Sequence, residues 1–174
     1  MNRRINLSKH VISNESPVFI IGEIGINHNG SVETAKKLVD VSVKAGCSAV
    51  KLQKRSLPEI YTDAILNNLQ NYEQGFQYLI PILKDYELSF DQLKEIKEYC
   101  DSKSILFMCT PFDPQSADQV NSLGTEIFKV SSADLTNLYL LDKLSSLKKP
   151  LILSTGMSSY HEIDKTVEFL ETKN

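Results

Sequence analysis

Five short apolar runs are spaced along the chain. They are Val18-Phe19-Ile20-Ile21, Ala49-Val50-Lys51-Leu52, Ile105-Leu106-Phe107-Met108, Ile127-Phe128-Lys129-Val130 and Leu151-Ile152-Leu153. Each is short and rich in β-branched or aromatic side chains, which predicts a buried strand. The segments between them carry a helical period. Ala35, Leu38, Val39, Ser42 and Val43 share one face, as do Leu93, Ile96 and Cys100, then Leu138, Leu141 and Leu144, then Ile163, Val167 and Leu170. Ser31 suits a helix N-cap with Glu33 in the first turn, and Asp113 suits another with Pro114 behind it. The expected order is five β/α units, which implies a parallel sheet with right-handed crossovers.

Two architectures satisfy that order, an open doubly wound sheet and a closed barrel. The turn after the first strand reads G-E-I-G-I-N-H-N-G and lacks the G-x-G-x-x-G dinucleotide fingerprint, which disfavours the open nucleotide-binding form. Residues 1–17 are expected to be an N-terminal extension or hairpin, since Ile5-Asn6-Leu7 and His10-Val11-Ile12 alternate. Residues 18–174 are expected to form the β/α part. The connection from Arg55 to Glu87 is much longer than the rest and holds Tyr61, Tyr72, Phe76, Tyr78 and Tyr86. Such a segment is expected to contain short helices and to cover a site.

Composition narrows the functional classes. A 41% hydrophobic and 24% charged chain is ordinary for a soluble globular protein. The net charge of −3 offers no basic field for nucleic acid, so an anion site must be a local cluster of cations. No run is long and apolar enough to span a membrane, and Met1-Asn2-Arg3-Arg4-Ile5-Asn6 is not followed by the apolar stretch of a signal peptide. The three cysteines, Cys47, Cys100 and Cys109, have no metal-ligand spacing, which suggests reduced thiols and a cytoplasmic location.

The candidate chemistry sits toward the C-terminal ends of the expected strands. Glu23 follows the first. Lys51 and Gln53, two apart, face the same side of the second. Thr110 ends the third, Lys129 and Ser131 end the fourth with Ser132 and Asp134 just beyond, and Ser154 and Thr155 end the fifth. In parallel α/β folds ligands bind at this edge. Each residue also has an ordinary reading. Glu23 can be a structural partner of a lysine, the lysines can snorkel to solvent, Ser154 to Gly156 can be a plain turn, and His28 can be a locally satisfied loop residue. Yet lysines inside apolar strands are costly to bury without an anion, and a bound polyanion would satisfy both.

The motifs G-E-I-G-I-N-H-N-G (22–30), V-K-L-Q (50–53), C-T-P-F-D (109–113), F-K-V-S-S-A-D (128–134) and L-S-T-G-M (153–157) resemble the sialic acid synthase family, in order and at similar spacing from Val18 to the C-terminus. That family makes N-acetylneuraminate, legionaminate and pseudaminate. The resemblance implies a (β/α)8 TIM-type barrel, here cut to about five units, without the later strands or the antifreeze-like domain. It implies condensation of phosphoenolpyruvate with an N-acyl amino sugar, a divalent metal (Mn²⁺ or Mg²⁺), no nucleic-acid or membrane partner, and a homodimer when complete. Carried over by position, Lys51, Thr110, Lys129, Ser132 and Ser154 contact phosphoenolpyruvate, and Glu23, Lys51 and Lys129 are catalytic. Gln53 and Asp134 contact the sugar, with Asp134 standing where some members carry Glu. The family's metal-binding histidines fall beyond residue 174. The chain is therefore expected to be inactive alone, as a piece of a longer protein, half of a split enzyme or a non-catalytic binding module. A Schiff-base aldolase using Lys129 or Lys51, or a phosphoenolpyruvate- or phosphate-binding module, remains open as an alternative.

Overall fold

The computed structural model describes residues 4–173. Met1–Arg3, part of the leader stretch considered above, and Asn174 lie outside the described residues. A short antiparallel hairpin, β1 (Ile5–Asn6) and β2 (Val11–Ile12), comes first. The main sheet follows in β3 (Ile21–Gly25), β4 (Ala49–Lys54), β5 (Leu106–Pro111), β6 (Phe128–Val130) and β7 (Leu151–Leu153). These five strands are parallel and lie in sequential order. The crossovers carry α1 (Val32–Lys44), then α2 (Leu57–Ile60), α3 (Asp63–Asn67), α4 (Gln74–Tyr86) and α5 (Phe90–Ser102), then α6 (Pro114–Ser122), α7 (Leu138–Ser146) and α8 (Tyr160–Glu171).

Sequential order decides between the two architectures left open by the pattern. Right-handed crossovers that always step the same way place every helix on one face, and the sheet curls toward a barrel. A doubly wound sheet must reverse direction to cover both faces. Here the outer face of the sheet, through Ile24, Val50, Leu52, Phe107, Cys109, Phe128 and Val130, packs with residues of α1, α5, α6 and α7 into one core. The fold is a partial (β/α)8-type barrel of five β/α units.

The inner face is layered. Ala49, Leu106, Met108 and Ile127 form an apolar floor, with Ile21 and Ile152 packed against it. The hairpin closes this floor from below by burying Leu7 there, while Ser8 donates through its backbone N–H and its hydroxyl to Glu126, both at 2.5 Å. Polar residues of the inner face stand above that floor, toward the C-terminal ends of the strands.

The first strand differs from the pattern's expectation. It begins at Ile21, and Val18 is 82% exposed. The apolar run pulls the expected strand early, but before Ile21 the chain meets the sheet through Phe19, packed on the inner apolar cluster, and through Ile20, whose carbonyl accepts from the Ser48 and Ala49 N–H groups and whose N–H donates to the Ser48 hydroxyl, without a strand forming. Glu23 is accordingly inside the strand, not after it. Val43, Leu138 and Val167 were expected on buried faces and are exposed. α1 and α8 are the outermost helices of the array, so each has a helical neighbour on one flank only, and Leu138 is the first residue of α7.

The long connection is ordered as helices. Its last residues are tied to β4 by Lys54, whose Nζ lies 2.6 Å from Glu87 Oε1 and donates to the Leu88 carbonyl at 2.9 Å. On the other side of β4, Asp113 caps α6. Its Oδ1 accepts from the Ser116 N–H, and its Oδ2 accepts from the Ser116 hydroxyl and from the Ser56 N–H, each at 2.7 Å. Asp113 is 2% exposed, so its removal leaves buried donors without partners. We expect Asp113→Ala to cost about 2–4 kcal/mol, read as a lower urea midpoint with unchanged slope. An unchanged midpoint would contradict the role given to this cap.

Candidate active site

Alternation along β4 sorts its residues. Val50, Leu52 and Lys54 face the helices, while Ala49, Lys51 and Gln53 face inward. The register sets Glu23 of β3 opposite Lys51, and Gln53 opposite Thr110 of β5. Lys51 is buried and its Nζ lies 2.6 Å from Glu23 Oε2, with Thr110 Oγ1 at 3.3 Å. Glu23 is the ordinary structural partner weighed from the sequence, yet its side chain stays 55% exposed and open to the inner cleft. The anion that a buried Lys51 needs is thus supplied in part by its neighbour on β3.

Lys129, on β6, is half-buried and donates to its neighbour's carbonyl at Val130. Among the described residues it has no carboxylate within ion-pair distance. Burial pulls its pKa below the ordinary lysine value, and the Lys51 ammonium pulls it the same way, against a smaller opposing pull from Glu23. The two ammonium groups therefore share one electrostatic environment.

One hydroxyl, that of Thr110, lies within hydrogen-bond reach of Lys51, and further hydroxyls follow β6 and β7. The Thr110 side chain is buried on β5. Ser131 begins the short 3₁₀ turn Ser132–Asp134 and accepts from the Ala133 N–H at 3.2 Å. Ser154 follows β7, its N–H donating to the Val130 carbonyl at 3.2 Å. Gly156 lies against Ser132, for a Cβ there would stand 3.6 Å from the Ser132 Cβ, so the turns after β6 and β7 meet. Thr155 is exposed.

Asp134 is half-buried. Its Oδ1 accepts from Asn137 Nδ2 at 3.3 Å, and its Oδ2 is buried with no hydrogen-bond partner among the described residues. Burial raises its pKa, opposed by hydrogen bonds from Asn137 and Ser131 and by the Arg55 charge. Gly25 has a positive φ of 56°, where a side chain is strained. A Cβ there would stand 3.3 Å from Glu23 Oε1 and 3.4 Å from Gln53 Nε2, so glycine keeps this corner of the cleft open.

His28 takes no part. It is buried, its Nδ1 accepts from the Gly30 N–H at 3.1 Å, and burial lowers its pKa. Burial also raises the Cys100 and Cys109 thiols to about 12, which removes them as nucleophiles near neutral pH. Among the described residues no three His, Cys, Asp or Glu side chains group to hold a metal ion, so the chain's own residues do not fit a metal cage. No described helix is long and apolar enough to cross a membrane.

Sequence reasoning missed Arg55. It is 6% exposed, its guanidinium carbon lies 4.3 Å from the centre of the Phe112 ring, and it donates through Nη2 to Gln53 Oε1. An arginine immediately after a strand carries no periodic signal, and its aromatic partner is more than fifty positions away.

The inner face of this parallel barrel sheet carries two lysines, a carboxylate and the Thr110 hydroxyl over an apolar floor. Comparison with known proteins narrows the class. The model of the NeuB family matches residues 38–174, and the chain belongs to that family. It is 37% identical over 157 residues to an N,N'-diacetyllegionaminic acid synthase of Campylobacter jejuni, covering 87% of this chain and 46% of that protein. It is 36% identical over 168 residues to an uncharacterized protein of Methanocaldococcus jannaschii, covering 97% and 46%. Among solved structures, the N-acetylneuraminic acid synthetase of Leptospira borgpetersenii superposes with a TM-score of 0.86 at 30% identity, covering 99% of this chain and 56% of that one. The chain spans about half the length of the curated relatives it matches.

The electrostatic arrangement makes a measurable claim. Lys51→Met should raise the Lys129 pKa, because a cation that lowers it is lost and Glu23, which raises it, is freed from its partner. Titration of the ¹³C-dimethylated lysine resonance would show this; an unmoved Lys129 titration would mean that the two ammonium groups do not share a site.

Proposed function

We propose that this chain forms the phosphoenolpyruvate-binding half of a synthase that condenses phosphoenolpyruvate with an N-acyl amino sugar to give a nonulosonic acid. One observation carries the reading: Lys51 and Lys129 both stand on the inner face of the sheet, near enough for the Lys51 charge to lower the Lys129 pKa, with Thr110 in hydrogen-bond reach of Lys51. Phosphoenolpyruvate bears a phosphate and a carboxylate, and two cations with neighbouring hydroxyls match that charge. The relatives whose names give an activity, among them synthases of N,N'-diacetyllegionaminic acid and of pseudaminic acid, support the same class of product.

In this reading Lys51, Thr110, Lys129, Ser132 and Ser154 bind and orient phosphoenolpyruvate. The C3 carbon of the enol attacks the open-chain aldehyde of the sugar. Glu23 orients the water that adds at C2 and takes its proton, being exposed to the cleft and anchored by Lys51. Collapse of the resulting tetrahedral carbon expels phosphate, whose developing charge the two lysines stabilise. Gln53 and Asp134 line the sugar side, where the unpartnered Asp134 Oδ2 accepts from a sugar hydroxyl. The expected divalent ion would polarise the aldehyde; among the described residues no three His, Cys, Asp or Glu side chains group to hold it.

A second reading, a Schiff-base aldolase with Lys129 as nucleophile, is favoured by the depressed pKa of that lysine. Borohydride distinguishes them, since only the aldolase would be trapped covalently with its carbonyl substrate.

The full gene product, given phosphoenolpyruvate, N-acetylmannosamine or a 2,4-diacetamido relative, and Mn²⁺, should release phosphate and form a 2-keto-3-deoxy acid. Residues 1–174 alone should release none. Lys51→Met and Lys129→Met should each lower kcat/KM at least about a hundredfold. Near-normal turnover in both variants, or turnover without phosphoenolpyruvate, would overturn the reading.

A further inference from the structure

We infer that Arg55 is a positioning residue that fixes the Gln53 side chain as a hydrogen-bond donor toward the acyl sugar, an inference that rests on the function proposed above. A glutamine amide carries a donor end and an acceptor end of nearly the same shape, so it can present either to a ligand. A guanidinium has donors only. Because Arg55 donates through Nη2 to Gln53, the amide must offer Oε1 to the arginine and turn Nε2 the other way. That nitrogen lies 3.4 Å from the point a Gly25 Cβ would fill, beside Glu23 Oε1 at 3.3 Å from the same point, which is the open corner of the cleft. Among the described residues Nε2 donates to no protein acceptor, so both its N–H groups are available to a ligand hydroxyl or acyl carbonyl.

The arginine bonds directly to Gln53, and its charge also reaches Asp134. It is buried, yet no carboxylate lies within ion-pair distance of it among the described residues; its face rests on the Phe112 ring. Burial lowers its pKa, offset in part by the more distant charges of Glu87 and Asp113. A guanidinium not shared with a carboxylate makes a charge-assisted bond to the amide, which polarises Gln53 and strengthens its Nε2 donors. The guanidinium is not what holds the backbone here. The Arg55 N–H donates to Glu87 Oε1 at 3.5 Å, the Arg55 carbonyl accepts from Lys54 Nζ at 3.3 Å, and the Ser56 N–H donates to Asp113 Oδ2 at 2.7 Å. The turn therefore keeps its anchors when the guanidinium is removed.

The test compares the wild-type full gene product with Arg55→Met, Arg55→Lys, Gln53→Ala and the double variant Gln53→Ala with Arg55→Met. KM is measured for N-acetylmannosamine, or for the 2,4-diacetamido sugar the wild type prefers, and separately for phosphoenolpyruvate. Arg55→Met should raise the sugar KM about tenfold with the phosphoenolpyruvate KM within about twofold. Arg55→Lys, which keeps a charged donor, should restore part of the loss. In the Gln53→Ala background Arg55→Met should change the sugar KM less than about twofold, since its target is gone. If Arg55→Met does not fold by circular dichroism, Arg55→Lys alone and in the Gln53→Ala background carries the same comparison with a smaller rise. An active wild type in which Arg55 substitution leaves the sugar KM unchanged, raises both KM values alike, or adds its full effect to Gln53→Ala would overturn this inference alone. A wild type inert with phosphoenolpyruvate and these sugars would overturn the proposed function and this inference with it.

Discussion

The inner rim is organised by one ion pair, the Lys51 ammonium against the Glu23 carboxylate on the adjoining strand. A lysine within an apolar strand is costly to bury unless an anion meets it. Glu23 meets it, but only from one side, and stays open to the cleft. Among the described residues Lys129, two strands away, has no such partner, and burial together with the Lys51 charge holds its pKa below the ordinary lysine value. The rim therefore holds one compensated and one uncompensated cation.

The fold makes that arrangement possible by layering. Ala49, Leu106, Met108 and Ile127 fill the inner face below the cations, and the hairpin closes them off through Leu7. Water is excluded from beneath, so the charges must be answered from above, at the strand C-terminal ends. On the other face, Lys54 with Glu87 and Asp113 with Ser56 and Ser116 pin the two ends of the long connection to β4 and α6. These structural contacts free the remaining polar groups, Gln53 and Arg55 among them, to face the cleft.

Much of this is legible in the sequence, for local reasons. Period-two alternation in residues 49–54 assigns Lys51 and Gln53 to one face without reference to the rest of the chain, and Asp113-Pro114 reads as a helix start from its own chemistry. The sequential strand order, in contrast, is a property of how units stack: hydrophobic period alone leaves barrel and open sheet both possible, and the motifs, not the period, point to the barrel. The first strand is misread early because Val18 to Ile20 are apolar without being buried. The roles of Arg55 and Lys54 are invisible because their partners, Phe112 and Glu87, are set by tertiary contacts across 57 and 33 positions. That Glu23 can pair with a lysine is legible in the sequence, but that the lysine is Lys51 is set by the register of β3 against β4.

The most direct measurement is a crystal structure of the full gene product with phosphoenolpyruvate bound. The account requires ligand oxygens within about 3 Å of both the Lys51 and the Lys129 ammonium groups, above the Met108 floor and beside Thr110. A ligand bound elsewhere, or held at this rim by only one of the two lysines, would contradict it.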